Sequence, residues 1–318
     1  MYLAHYGLKD EPFRLTPDPR YLHLSEPYQH ALTTLLEGIL YRKGLIMVTG
    51  PIGTGKTTLV HTAVQMLSDA SKQKMFIKTA LLFNPTLSRD EFLEMMLEDF
   101  EISCTSTSKP KRLMALHQML VEAQRRDGTA VLFIDEAHLL SSELLEEIRL
   151  LGNADTHREK LLQIVLSGQP ELLTVMNRPE LSALRQRIAA RANLRPLGES
   201  ELRAYVSERL RFAGLSGPSP FTLEALDEVL CHSSGVPRLV NLICDASLGV
   251  GYRMQVRTIH AEVVTEAAIS LGLVTPDATP VKKESILPTS LPSSMGKPNS
   301  IVDRLIENMK HNRGVAIG

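Results

Sequence analysis

The residues best suited to chemistry are Gly50-Pro-Ile-Gly-Thr-Gly-Lys-Thr57, a GxxxxGK[ST] motif without deviation. Its glycines let the backbone curl so that successive N–H groups converge on a phosphate, and the helix that follows adds its positive end. Gly50, Pro51, Ile52, Gly53, Thr54, Gly55, Lys56, Thr57 and Thr58 are therefore expected to hold the phosphates of a nucleotide. Lys56 would reach the β- and γ-phosphates, and the Thr57 hydroxyl would ligate Mg2+. A second signal is Ala-Val-Leu-Phe-Ile-Asp-Glu-Ala-His, residues 130–138. A buried strand there delivers Asp135 to its C-terminal end, where ligands bind in open α/β sheets. Asp135 is expected to hold Mg2+ through water. Glu136 is expected to orient and polarise the attacking water. His138 reads either as a structural or surface residue or as a coupling element beside the site.

Three further groups could complete a phosphoryl-transfer site. The run Leu161–Leu166 ends in Ser167-Gly-Gln169, where a polar side chain could sense the γ-phosphate or fix the water. Gln169 is the candidate and Ser167 its rival. Arg185, Arg187, Arg191 and Arg195 are dense in the next segment, and phosphoryl transfer gains from a guanidinium at the γ-phosphate. Arg187 is the first candidate and Arg191 the second. In Ser233-Ser-Gly-Val-Pro-Arg238 the proline marks a helix start, with Arg238 in the first turn. A cation there is mildly disfavoured by the helix dipole, which favours a functional reason for it.

The elements that must position these residues alternate. Apolar runs at Leu45–Thr49, Met75–Phe83, Thr129–Ile134 and Leu161–Leu166 read as strands. Helices are expected over 26–42, after the phosphate loop, over 88–100, opened by the capping box Ser88-Arg-Asp-Glu91, and over 111–126 and 142–151. This alternation implies an α/β fold with a mostly parallel sheet. After about Gly198 the strand signal stops, and helices are expected over 199–212, 222–231, 237–252 and 261–271. The expected organisation is a lead-in over 1–24, a nucleotide-binding core over 25–198 and a helical domain over 199–273. A disordered Pro/Ser-rich linker follows over 274–299, then a short amphipathic tail helix over 300–318.

Together these motifs resemble the AAA+ ATPases, and more closely the ExeA-type family of general secretion pathway protein A. The lead-in Tyr6-Gly-Leu-Lys-Asp-Glu-Pro-Phe-Arg-Leu-Thr-Pro-Asp-Pro-Arg20 is the most family-specific stretch. Residues 162–172, Gln186-Arg-Ile188 and 235–241 also match, so the resemblance covers 1 to about 272. It implies a five-stranded P-loop AAA+ core with helices on both faces, followed by a small all-helical lid. It also implies Gln169 as first sensor, Arg187 as a finger acting on a neighbouring subunit and Arg238 as lid sensor. ATP, Mg2+ and a homo-oligomer with sites at subunit interfaces come from the same resemblance. Members of that family typically continue into a membrane helix and a peptidoglycan-binding domain, neither of which is expected here.

Composition bounds the function. With 35 Lys+Arg against 36 Asp+Glu the net charge is −1, so a bulk-basic nucleic-acid binder is not indicated. Three cysteines without a CxxC pair support no zinc or redox motif. No signal peptide or transmembrane segment is expected, and the reading is cytoplasmic. An ATP-hydrolysing motor or switch for a secretion, pilus or exopolysaccharide assembly is the first functional reading. The alternative is an ATP-dependent DNA-binding regulator of the transposition-associated (TniB-like) or initiator-like type. Residues 185–211 carry seven Arg against three Glu, an excess of four that keeps DNA as a candidate partner. A binding-only nucleotide sensor is disfavoured by Glu136 and the arginines.

Overall fold

The computed structural model describes residues 2–15, 25–73, 75–83, 86–155, 159–273 and 304. The expected linker and all but one position of the expected tail helix lie outside the described residues. The chain forms two compact units.

The larger unit is built on a five-stranded sheet. Its strands are β1 (Leu45–Thr49), β2 (Ile77–Leu82), β3 (Thr129–Ile134), β4 (Leu162–Gly168) and β5 (Ile188–Asn193). The order is β2-β3-β4-β1-β5, and every pairing is parallel. β1, β3 and β4 are buried at every position. Helices must therefore cover both faces, which is why these strands read as mostly apolar runs, with Gln163 and Ser167 the buried polar exceptions in β4. Each fully buried Leu, Ile or Val contributes about 1.5–3 kcal/mol of hydrophobic stabilisation.

The helices here are α2 (Glu26–Leu40), α3 (Lys56–Gln73), α4 (Arg89–Asp99), α5 (Lys109–Arg125), α6 (Ser142–Leu151), α7 (Glu171–Met176) and α8 (Ser182–Arg185). α4 begins at the expected capping box, with both the Ser88 and the Glu91 bonds made. α6 is capped by the Ser141 hydroxyl, which accepts from the Leu144 N–H. Phe92, Leu116, Phe100, Leu144 and Ile148 pack on one face of the sheet with Leu132 and Ile164.

β5 is the one strand that the residues themselves do not announce, although the resemblance implied five strands. Ile188-Ala-Ala-Arg-Ala-Asn193 has a single β-branched residue, and its exposed positions alternate with half-buried Ile188 and Ala190 and buried Ala192. It is an edge strand, held by pairing with β1 rather than by intrinsic preference. Arg191 thus lies in a strand, opposite Met47.

The described residues of the second unit fall within 1–26, 52–55 and 195–294. Its helices are α1 (Leu3–Tyr6), α9 (Glu199–Phe212), α10 (Leu223–Ser233), α11 (Pro237–Arg253) and α12 (Ala261–Ser270). The described lead-in is part of this helical core rather than a separate segment. Tyr6, Leu8 and Phe13 are buried with Leu210, Phe221 and Ile259. Phe13 meets Phe221 edge-on, with ring centroids 6.2 Å apart. The Lys9 N–H donates to the Ala213 carbonyl at 2.7 Å, the Tyr2 hydroxyl donates to Asp245, and the buried Arg209 guanidinium donates to the Pro12 carbonyl at 2.6 Å. Gly235, at φ +72°, precedes α11. A Cβ there would lie 2.1 Å from the Leu197 carbonyl oxygen, so a side chain is excluded on two counts.

Candidate active site

The phosphate loop leaves β1 at Gly50 and enters α3 at Lys56. Gly53 and Gly55 have φ of +79° and +95°, a conformation that glycine adopts freely. Lys56 is buried, and its ammonium donates to the carbonyls of Gly50 at 2.8 Å and Pro51 at 3.1 Å. Burial pushes its pKa below the usual lysine range, while the charges of Glu136, Asp135 and Glu171 pull the other way. Glu171 is a contributor that no sequence motif announces. The ammonium is folded back on its own loop, on weak neutral acceptors that a phosphate would outcompete.

The two motifs meet at one hydrogen bond. The Thr57 hydroxyl donates to Asp135 Oδ2 at 2.7 Å, across 78 residues of sequence. The other oxygen, Oδ1, accepts from the Ser167 hydroxyl at 2.8 Å and from the Glu136 N–H at 3.0 Å. Sheet register explains the Ser167 contact. Ile134 pairs with Leu166, so the next residues, Asp135 and Ser167, emerge side by side. Asp135 and Ser167 are both buried. A hydroxyl and a carboxylate this close are hard oxygen donors, the set that suits Mg2+.

Glu136 follows at φ 51°, ψ 34°, an uncommon conformation for a residue with a side chain. Such backbone strain, about 1–3 kcal/mol, is characteristic of functional positions. Its carboxylate is partly exposed and lies 3.3 Å from His138 Nδ1. The same Nδ1 lies 3.5 Å from the Gln169 N–H. His138 therefore bridges Glu136 and the segment that carries Gln169, a link the sequence left open. Of the two candidates at the end of β4, the structure joins Ser167 to Asp135 and sets the Gln169 backbone beside His138.

Residues 39–176 match the AAA domain family. The general secretion pathway protein A of Aeromonas hydrophila is 37% identical over 265 residues, which is 83% of this chain and 47% of that protein. This chain belongs to the ExeA-type branch of the AAA family. It spans less than half the length of that relative. The fold is shared more widely. An Aeropyrum pernix ORC2 structure in ADPNP and ADP complexes has a TM-score of 0.60 at 16% identity, over 82% of this chain and 72% of that one. Drosophila ORC bound to DNA gives 0.63 at 19%, over 82% and 64%.

Arg187 lies just before β5, whose first residue pairs with Leu45 at the start of β1. It is thus at the end of the sheet opposite the phosphate loop, about 15 Å away at roughly 3.3 Å per residue. Its guanidinium donates to the Arg149 carbonyl at 2.8 Å. Arg238, in the helical unit, opens α11, and its N–H donates to the Gly53 carbonyl at 3.2 Å. Arg195 forms a bidentate pair with Glu201 at 2.8 and 2.9 Å. Arg203 bonds Asp227 and Glu199, each at 2.8 Å. Among the described helices none is long and apolar enough to cross a membrane.

Proposed function

We propose that this chain binds ATP with Mg2+ and hydrolyses it, serving as a motor or switch for an envelope assembly such as a secretion, pilus or exopolysaccharide system. The observation that carries the ATPase reading is the Thr57–Asp135–Ser167 chain of hydrogen bonds at the C-terminal end of the sheet, with Lys56 and Glu136 beside it. Residues 50–58 hold the phosphates, and Lys56 exchanges two loop carbonyls for phosphate oxygens. Thr57 and Asp135 hold Mg2+, which when bound neutralises charge developing on the phosphates. Glu136 accepts a hydrogen bond from the attacking water and so increases its nucleophilicity. Gln169 senses the γ-phosphate, and Arg238 reports nucleotide to the helical unit through its neighbour Gly53.

Arg187 acts on a second copy. About 15 Å of sheet separates it from its own phosphate loop, beyond the reach of a side chain. A homo-oligomer that sets this end of one copy against the phosphate loop of the next gives the guanidinium a γ-phosphate to stabilise. The secretion context rests on the name of the Aeromonas relative, and a cytoplasmic location accords with it. The DNA-regulator alternative loses part of its basis, because Arg195, Arg203 and the buried Arg209 are already engaged within the chain. Phosphate release by the purified chain tests the reading. Turnover that vanishes in both Lys56→Ala and Glu136→Gln, with nucleotide binding lost only in the first, is the expected result. Equal loss of binding in both would sink this division of roles.

A further inference from the structure

We infer that the last turn of α10 forms a site for a divalent cation of the Zn2+ class, held by Glu228, Cys231 and His232. This inference is independent of the ATPase reading and concerns the helical unit alone. Residues at i, i+3 and i+4 of a helix share one face. Here each offers one ligand atom, and the three atoms lie within 4.8 Å of one another.

The second observation is the state of the imidazole. The His232 side chain is nine-tenths buried, and its Nε2 is shielded from solvent without a hydrogen-bond partner among the described residues. Glu228 Oε2 lies only 3.2 Å away, yet the two atoms are not aligned as donor and acceptor. With the imidazole neutral and its proton on Nδ1, both atoms would present lone pairs to the same small space. A buried polar atom left so costs about 1–3 kcal/mol, and a cation between the two atoms removes that cost.

The chemistry of the donors selects the ion. Imidazole nitrogen, thiolate and carboxylate are the ligand types of Zn2+, whereas Mg2+ and Ca2+ take oxygen. Bonds of about 2.0–2.3 Å in a tetrahedron set ligand atoms about 3.3–3.7 Å apart, near the His–Glu separation observed. Charge also balances, since one thiolate and one carboxylate offset the dication while the imidazole stays neutral. The negative end of α10 adds to the attraction. Cys231 is exposed, so the ion enters from solvent and water takes the fourth position. Cys104 and Cys244 lie outside the cluster.

Co2+ titration of the reduced, nucleotide-free full-length chain tests this. A tetrahedral site with a thiolate gives intense visible d–d bands and a near-ultraviolet thiolate-to-cobalt charge-transfer band, and one equivalent of Zn2+ removes both. Cys231→Ser should abolish the charge-transfer band. His232→Gln and Glu228→Gln should each weaken Zn2+ binding by about tenfold or more. Far-ultraviolet circular dichroism checks that each variant is folded. Absence of the charge-transfer band in the parent chain overturns the assignment. So does a band that survives Cys231→Ser, or Zn2+ affinity unchanged in the His232 and Glu228 variants, since either result marks adventitious binding.

Discussion

The two ends of the sheet are built differently. At the C-terminal end, buried polar groups satisfy one another: Thr57 and Ser167 share Asp135, and Lys56 is held on two carbonyls. At the N-terminal end, Leu45, Leu162, Ile164 and Leu184 line a cavity of about 100 Å3, with Lys43, Arg149, Lys160 and Arg187 around it. One end has the buried donors and carboxylate that the proposed phosphate site requires. The other carries cations without a phosphate within reach. On the proposed reading, Arg187 at this second end serves the phosphate loop of a neighbouring copy rather than its own.

Lys56→Ala should break the first end outright. Losing a charged donor to phosphate removes about 3 kcal/mol, a hundredfold or more in affinity by nucleotide titration. Glu136→Gln should leave that affinity intact and lower turnover by up to about 10,000-fold, because an amide polarises water poorly. Arg187→Ala should lower turnover about a thousandfold with binding preserved, the signature of the second end acting only in catalysis. Comparable loss of binding in Arg187→Ala would erase the distinction between the two ends.

Stability should separate the ends as well. Leu184→Ala enlarges the existing cavity and should cost about 2–3 kcal/mol in urea unfolding without changing nucleotide affinity. Ser167→Ala should cost about 1–2 kcal/mol and also weaken Mg2+-dependent nucleotide binding, because Asp135 loses a buried donor. If Ser167→Ala affected stability alone, its bond to Asp135 would be structural.

Much of the phosphate end was legible in the sequence because its motifs are local. The loop at 50–57 and the strand leading into Asp135-Glu136 each lie within ten residues, and β1, β3 and β4 are mostly apolar runs. What escaped depends on pairing. β5 is a strand because β1 lies beside it, which three alanines and one isoleucine do not signal. Which residue at the end of β4 meets Asp135 is decided by the register of β3 against β4, and a single sequence carries no register. The burial of Tyr6, Leu8 and Phe13 among helices some 200 residues later is likewise non-local. His138 between Glu136 and Gln169 is legible only once the 3-10 turn Ala137–Leu139 has folded.

Subunit mixing tests the trans action of Arg187 most directly. Arg187→Ala supplies an intact phosphate end without the finger, and Glu136→Gln supplies the finger without a working water-activating carboxylate. Each alone should be inactive. Mixed, they create interfaces in which an intact Glu136 in one subunit faces an intact Arg187 in its neighbour. Partial recovery of ATP turnover, peaking near equal proportions, is the expected result. No recovery at any ratio, with co-assembly demonstrated, would contradict catalysis shared between subunits.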